Sequence, residues 1–341
     1  MTTLHLELGE RGYDITVGRG LLGRAGEFFN LDRRVMILTD EGVPAEYAAA
    51  VASAAKDAAI FTVKEGEGSK SLSTLEELLS AMAKLGMTRR DCLVAVGGGV
   101  VGDLGGFAAS CYMRGIDFYN IPTTLLAQVD SSIGGKTAVN LGGIKNIVGA
   151  FHQPRGVLID ADCLKTLDKR LICCGLAEAV KMAMTFDEEL FKSFEKHTYV
   201  DILANIEDII VRSLKIKKMV VEADEREDGL RKVLNFGHTF GHGVEAADGM
   251  SSLYHGECVA IGMMPMCSAE ARERLAPVLK KLGLPTGFDG DVDEALSYVS
   301  HDKKSTESGV DAIFVSKIGS FEIKSMSYGE FSAATHEALG K

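Results

Sequence analysis

Apolar and polar residues alternate from Leu4 to Val17 around a Gly-containing break, which predicts two short strands joined as a hairpin. The stretch Arg34-Val35-Met36-Ile37-Leu38-Thr39-Asp40 is apolar in its interior and closes on an acid, the pattern of a buried strand. An Ala-rich helix follows over 43–58, then a strand over 59–63. Leu72 to Leu85 repeats apolar residues at helical spacing, and Asp91 to Val96 again reads as a strand. This alternation predicts βαβ units around a parallel sheet, a fold whose ligands bind at the carboxyl ends of strands. After the strand Gly156-Val157-Leu158-Ile159-Asp160 the pattern changes. From Asp162 helical periodicity dominates, and strand signals return only at Ala312 to Ser316 and Ser320 to Lys324. The reading is an α/β domain over 1–160 and a mainly α-helical domain over 161–341.

The charge balance narrows the function. With 37 basic and 48 acidic residues the net charge is −11, which argues against a nucleic-acid partner held through phosphate contacts. A small anionic ligand remains compatible, because a few lysines suffice for a local basic pocket. No apolar run reaches membrane-spanning length, and the N-terminal MTTLHLELGERGYDI has no signal-peptide core, so neither span nor leader is expected. Seven cysteines without a C-x-x-C pair fit reduced thiols in a cytosolic protein.

Candidate chemistry begins where the strand at Val96 runs into Gly97-Gly98-Gly99-Val100-Val101-Gly102-Asp103, with Leu104 to Cys111 helical beyond it. Glycines at a strand-to-helix turn let backbone N–H groups approach a pyrophosphate; the competing reading is glycines kept for packing. In the usual dinucleotide fingerprint an acid about 20 residues later binds the ribose. Asp117 has that spacing but begins the next strand, so Asp40, at the end of an earlier strand, is the better candidate. Further on, Ile121 to Lys136 and Gly142 to Asn146 set polar groups between glycines, as a ligand-binding backbone or a solvated loop would.

In the second half, Glu178 and Lys181 stand at i, i+3; spacing alone favours a surface ion pair. The charged stretch Lys215 to Arg231 reads mostly as a solvated helix face, with Lys217 and Arg231 as candidates for inward-pointing cations. His238 and His242 are at i, i+4, on one helix face, and His255 follows thirteen residues later. A catalytic zinc takes three protein ligands and keeps a position open, although such histidine pairs also occur as ordinary surface or core residues.

Taken together, GGGVVGDLGGFAAS, RGIDFYNIPTTLLAQVDSSIGGKTAVN, GLAEAVK, EADEREDGLRKVLNFGHTFGHGVEA, YHGECVAIGM and HDKK occur in an order that resembles the 3-dehydroquinate synthases, members of the sugar phosphate cyclases. The resemblance covers about residues 35 to 305. It implies a Rossmann-like N-terminal domain, a helical C-terminal domain, and a site in the cleft between them. It further implies NAD, one divalent metal (zinc or cobalt), a homodimer, and conversion of 3-deoxy-D-arabino-heptulosonate 7-phosphate to 3-dehydroquinate and phosphate. Carried residue by residue, the metal ligands are Glu178, His238 and His255, and His242 becomes a substrate contact. The NAD contacts are Asp40, Glu67, Lys70, Gly98, Gly99, Asp103, Thr123 and Thr124. The substrate cage is Asp130, Lys136, Lys145, Asn146, Lys181, Lys217, Arg231, Asn235 and His242. Lys304, or its neighbour Lys303, joins it, and Arg114 is the arginine lent to the neighbouring subunit. Met182-Ala183 departs from the family's more usual Tyr-Gly but removes no candidate ligand. Two alternatives share much of the pattern: a sister sugar phosphate cyclase and a metal-dependent polyol dehydrogenase of the glycerol dehydrogenase class.

Overall fold

Thr2–Leu6 (β1) and Tyr13–Gly18 (β2) pair antiparallel with Leu4 opposite Ile15, the hairpin that their alternation predicts. The chain then lays down β3 (Arg34–Asp40), β4 (Asp57–Val63), β5 (Cys92–Gly97) and β6 (Asp117–Pro122). An antiparallel pair, β7 (Lys136–Leu141) and β8 (Ile144–Phe151), stands apart before the chain returns as β9 (Gly156–Asp160). Seven strands form one sheet in the order β1-β2-β9-β6-β5-β3-β4, parallel in every pairing except β1 with β2. All six residues of β5 and all five of β9 are buried, as both faces of a parallel sheet require.

Period-two alternation divides the core between those faces. Met36 and Leu38 pack with Leu93, Ala95, Leu75, Leu78 and Leu104 on one side. Val35 and Ile37 pack with Val94, Val96, Ile121 and Leu158 on the other. The helices of this half are α1 (Ala25–Phe28), α2 (Ala45–Ser53), α3 (Leu72–Lys84) and α4 (Gly99–Cys111). Helix α4 starts five residues earlier than its apolar spacing predicts, because its glycines are themselves helical and permit close packing. A Cβ on Gly105 would stand 3.0 Å from the Leu93 side chain, and one on Gly106 only 2.4 Å from Thr137 Cγ2.

The computed structural model describes residues 1–249, 252–301 and 309–340, without the side chains of 300 and 301. It divides into two units, Met1–Leu167 and Asp168–Lys341. The division falls past residue 160 because the 3-10 turn Ala161–Thr166 is fastened to the first unit. Asp160 accepts backbone N–H bonds from Leu21 (2.6 Å) and Asp162 (3.0 Å), and the Tyr47 hydroxyl meets Thr166 Oγ1 at 2.9 Å.

The second unit contains α5 (Lys169–Phe186), α6 (Glu188–Lys196), α7 (Tyr199–Ala204), α8 (Ile206–Ala223), α9 (His238–Ala247), α10 (His255–Met263), α11 (Ala269–Lys281) and α12 (Val292–His301). A hairpin of β10 (Val310–Phe314) and β11 (Glu322–Met326) precedes α13 (Tyr328–Leu339). Helix α5 is capped by Asp168, whose carboxylate accepts from Arg170 N at 2.7 Å, and every residue from Ile172 to Thr185 is buried. Among the described residues no helix is long and apolar enough to cross a membrane. The seven cysteines are free thiols.

Candidate active site

Three helices of the second unit meet at backbone distance, and glycines make this possible. A Cβ on Gly256 of α10 would lie 2.3 Å from the Cys174 carbonyl oxygen of α5. One on Gly262 would lie 1.9 Å from the Gly237 carbonyl at the start of α9, and one on Gly241 2.8 Å from that of Cys258. The close approach brings together one side chain from each helix. Glu178 comes from α5, His238 from the first position of α9 and His255 from the first position of α10, with donor atoms all within 4.8 Å of one another. Glu178 Oε1 is 3.6 Å from His238 Nε2 and 3.4 Å from His255 Nε2.

The donor set fits a divalent ion: one carboxylate and two imidazoles, the N/O ligation of a catalytic zinc. Each imidazole has an outer partner on its other nitrogen. His238 Nδ1 lies 3.2 Å from the Phe236 carbonyl, which fixes the proton there and turns the Nε2 lone pair toward Glu178. His255 Nδ1 faces Glu245 Oε2 at 3.6 Å, a carboxylate–histidine arrangement. Burial pushes His238 down to about 3, so this imidazole is neutral and ready to ligate. Burial acts on His255 in the same direction, but the carboxylates of Glu178 and Glu245 outweigh it and raise His255 to about 9.

Lys181 overturns the surface-pair reading of its spacing with Glu178. Its Nζ sits 2.6 Å from Glu178 Oε2 and donates to the Leu234 carbonyl at 2.9 Å, with both residues about 1% exposed. Because α5 is covered all round, its i, i+3 face is interior. Lys217 and Arg231, the two candidates for inward-pointing cations in 215–231, are buried, while Lys215 is exposed. Asp224 accepts from Arg231 N at 2.9 Å, and the Arg231 guanidinium donates to the Glu225 carbonyl. Asn235 Nδ2 donates to Glu227 Oε1 at 2.8 Å. His242 is exposed, its ring centroid 5.3 Å from that of His238 and 5.9 Å from that of His255.

The sequence reading missed Glu245, Arg170 and Glu257. Arg170 forms a bidentate pair with Glu257 (2.6 and 2.7 Å) and lies over the Tyr254 ring, while Glu257 Oε2 accepts from Tyr254 N at 2.8 Å. This fastens the turn that presents His255. Arg170 and Glu257 are far apart in sequence and carry no local signal. Glu245 had one, as the lone acid in the small-residue end of α9.

In the first unit the candidates gather at carboxyl ends of strands. Asp40 ends β3 and accepts from Gly42 N (2.9 Å) and Val43 N (3.1 Å); burial raises its carboxyl above the ordinary range. Gly98 and Gly99 open α4 directly after β5, and Thr123 N donates to the Gly97 carbonyl at 2.9 Å. A Cβ on Gly98 would meet Thr124 at 3.0 Å and one on Gly99 would meet Ser131 at 3.2 Å. By contrast Gly105 and Gly106 pack helix against strand, so part of the glycine run does serve packing. Lys70 is buried with Nζ 2.5 Å from Asp103 Oδ2 and 3.8 Å from Glu67 Oε1. Asp117, set aside as a ribose ligand, is taken up by Arg33 (2.7 Å) and Arg155 (2.9 Å).

Asp130 lies in a π-helical turn, Ala127–Ser131. Lys136 is exposed at the start of β7, and Lys145 and Asn146 lie on β8. Arg114 is exposed with φ +69°. Lys303 and Lys304 lie outside the described residues.

Residues 60–174 match the 3-dehydroquinate synthase N-terminal family model, and 175–305 match the corresponding C-terminal model. The 3-dehydroquinate synthase of Enterococcus faecalis is 43% identical, with 97% of each chain covered. That of Streptococcus suis is 42% identical over 93% of this chain and 94% of its own. Among solved structures, 2-deoxy-scyllo-inosose synthase complexed with carbaglucose-6-phosphate, NAD+ and Co2+ superposes with a TM-score of 0.90 at 26% identity, covering 99% of this chain and 100% of that one. The 2-epi-5-epi-valiolone synthase of Streptomyces hygroscopicus, with NAD+ and Zn2+ bound, gives 0.87 at 28%, covering 98% of each. On matched length and on fold alike, the chain belongs to the 3-dehydroquinate synthase family.

Proposed function

We propose that this chain converts 3-deoxy-D-arabino-heptulosonate 7-phosphate to 3-dehydroquinate and phosphate, a carbon–oxygen lyase and cyclase reaction of aromatic amino-acid biosynthesis. The observation that carries the reading is the convergence of Glu178, His238 and His255 in a chain 40–43% identical to 3-dehydroquinate synthases over nearly its whole length. A sister cyclase activity is less favoured, since the solved sister cyclases are only 26–28% identical.

Glu178, His238 and His255 would hold one zinc or cobalt ion, which when bound supplies Lewis acidity to the substrate hydroxyls. Asp40, Glu67, Lys70, Gly98, Gly99, Asp103, Thr123 and Thr124 would hold NAD, which takes up a hydride from a secondary alcohol and returns it, so it is not consumed. The chain's own work is charge placement. Arg231 offers the planar fork that a carboxylate accepts in bidentate fashion, and Lys217 is a second buried cation acting as a point charge. Lys136, Asn235, His242 and Lys304, with Arg114 of the partner subunit, hold the phosphate as it leaves by β-elimination. Asp130, Lys145 and Asn146 orient hydroxyls for ring opening and the aldol closure. Lys181 sets the charge beside Glu178. A cage of cations on a chain of net charge −11 concentrates positive potential where the anionic substrate binds.

The enzyme acts in the cytoplasm as a homodimer in this reading; free cysteines throughout are consistent with a reducing compartment. Absorbance at the NADH band during turnover tests it. Substrate disappears with no net NADH if the hydride is returned, whereas NADH accumulating in step with substrate would identify a polyol dehydrogenase.

A further inference from the structure

The pairing of β7 with β8 breaks at a defined place. Register runs regularly from Lys136–Phe151 to Val139–Val148, then jumps to Leu141–Ile144. One residue, Asn140, therefore faces three on the other strand, and β8 bulges at Lys145, Asn146 and Ile147. Asn146 takes φ +55°, the left-handed region that asparagine tolerates better than most side chains. Bulges of this kind re-aim side chains beside functional sites. Here the bulge carries two of the residues assigned above to the substrate.

Asn140 ties this bulge to the dinucleotide side of the same unit. Its Oδ1 accepts from Asn146 N at 2.9 Å, and its Nδ2 donates to Glu67 Oε1 at 2.8 Å. Its backbone N donates to the Lys70 carbonyl at 2.8 Å. Glu67 and Lys70 lie on one short turn, and Lys70 continues the chain of contacts to Asp103. A single amide thus has its donor on one ligand's segment and its acceptor on the other's.

We propose that Asn140 is a positioning residue that couples NAD binding to the shape of the bulge bearing Lys145 and Asn146. The proposal rests on the assignment of those segments to NAD and substrate. With Glu67 and Lys70 fixed by the dinucleotide, Asn140 is held in one rotamer and its Oδ1 holds Asn146 N. By linkage, an occupied substrate side must strengthen NAD binding by the same factor.

The test measures NAD affinity by calorimetry, alone and with a saturating phosphonate analogue of the heptulosonate phosphate, whose C–P bond cannot eliminate. Wild-type protein is expected to bind NAD at least about fivefold tighter with the analogue present, the lower end of ordinary coupling. Asn140→Ala is expected to bind NAD alone within about threefold of wild type and to lose the enhancement. Asn140→Asp keeps the acceptor for Asn146 N but sets a carboxylate against Glu67. It is expected to weaken NAD binding by itself as well as abolishing the coupling, and it serves if the alanine variant does not fold. Equal coupling in wild type and either folded variant overturns the proposal. So does a wild type that makes dehydroquinate with no coupling, a result that leaves the parent reading standing.

Discussion

Glu178 and Lys181 lie one helical turn apart on α5 with carboxylate and ammonium 2.6 Å apart and both side chains about 1% exposed. A pair so deep contributes little net stability, yet removing one partner strands the other charge and typically costs about 3–5 kcal/mol. Glu178→Ala should therefore destabilise the metal-free protein by about that amount in denaturant melts. Glu178→Gln, which keeps an oxygen beside Lys181, should fold with a smaller loss and retain no stoichiometric zinc by elemental analysis. A Glu178→Gln protein that keeps one tightly held metal and full turnover would remove Glu178 from the ligand set.

Proton release should accompany metal binding. In the metal-free protein His255 is raised to about 9 from an ordinary 6.5, so its charged form adds stability below about 6.5 that is lost as pH rises through about 9. A ligating imidazole must be neutral. Below about 9 one proton leaves His255 for each metal bound, so affinity falls about tenfold for each unit of acidification. His238, held down to about 3, is already neutral and contributes no such dependence across the neutral range. Titration of zinc into apoprotein at pH 7 in buffers of different ionisation enthalpy should count about one proton released from the histidines.

Glu245 faces the outer nitrogen of His255 at 3.6 Å. Loss of such a partner typically weakens metal binding about 10–100-fold. Glu245→Gln should show that loss in chelator competition, together with some loss of apoprotein stability at neutral pH, where its carboxylate helps hold His255 charged. Its effect should exceed that of changing exposed His242, which the same chelator assay compares directly.

Gly256→Ala should act through the backbone. The added methyl would stand 2.3 Å from the Cys174 carbonyl oxygen, so α10 must shift off α5 and carry His255 with it. Overpacking of this kind costs about 1–3 kcal/mol, and zinc affinity should fall with it. Gly23→Ala, which meets nothing within 4 Å, is the control expected to be silent in both measurements.

Apolar patterning made the sheet legible: β3 occupies 34–40 and β9 occupies 156–160 as predicted, because strands buried on both faces are apolar without interruption. The β7–β8 pair was not legible as strands, since its Gly-rich turn and exposed polar residues lack that signature. Within the site, the i, i+4 spacing of His238 and His242 overstated their likeness; one faces Glu178 and the other is exposed. The burial of Glu178 and Lys181 was illegible for a different reason. Charged residues at helical spacing read as a solvated face unless the neighbouring helices are known, and those helices are set by Gly241, Gly256 and Gly262 far along the chain.

Purified protein supplied with the heptulosonate phosphate, NAD and Zn2+ or Co2+ should release phosphate and form 3-dehydroquinate, identified by mass, in equal amounts, with no turnover when either NAD or the metal is withheld. Phosphate release without dehydroquinate, or no release from this substrate under those conditions, would contradict the account.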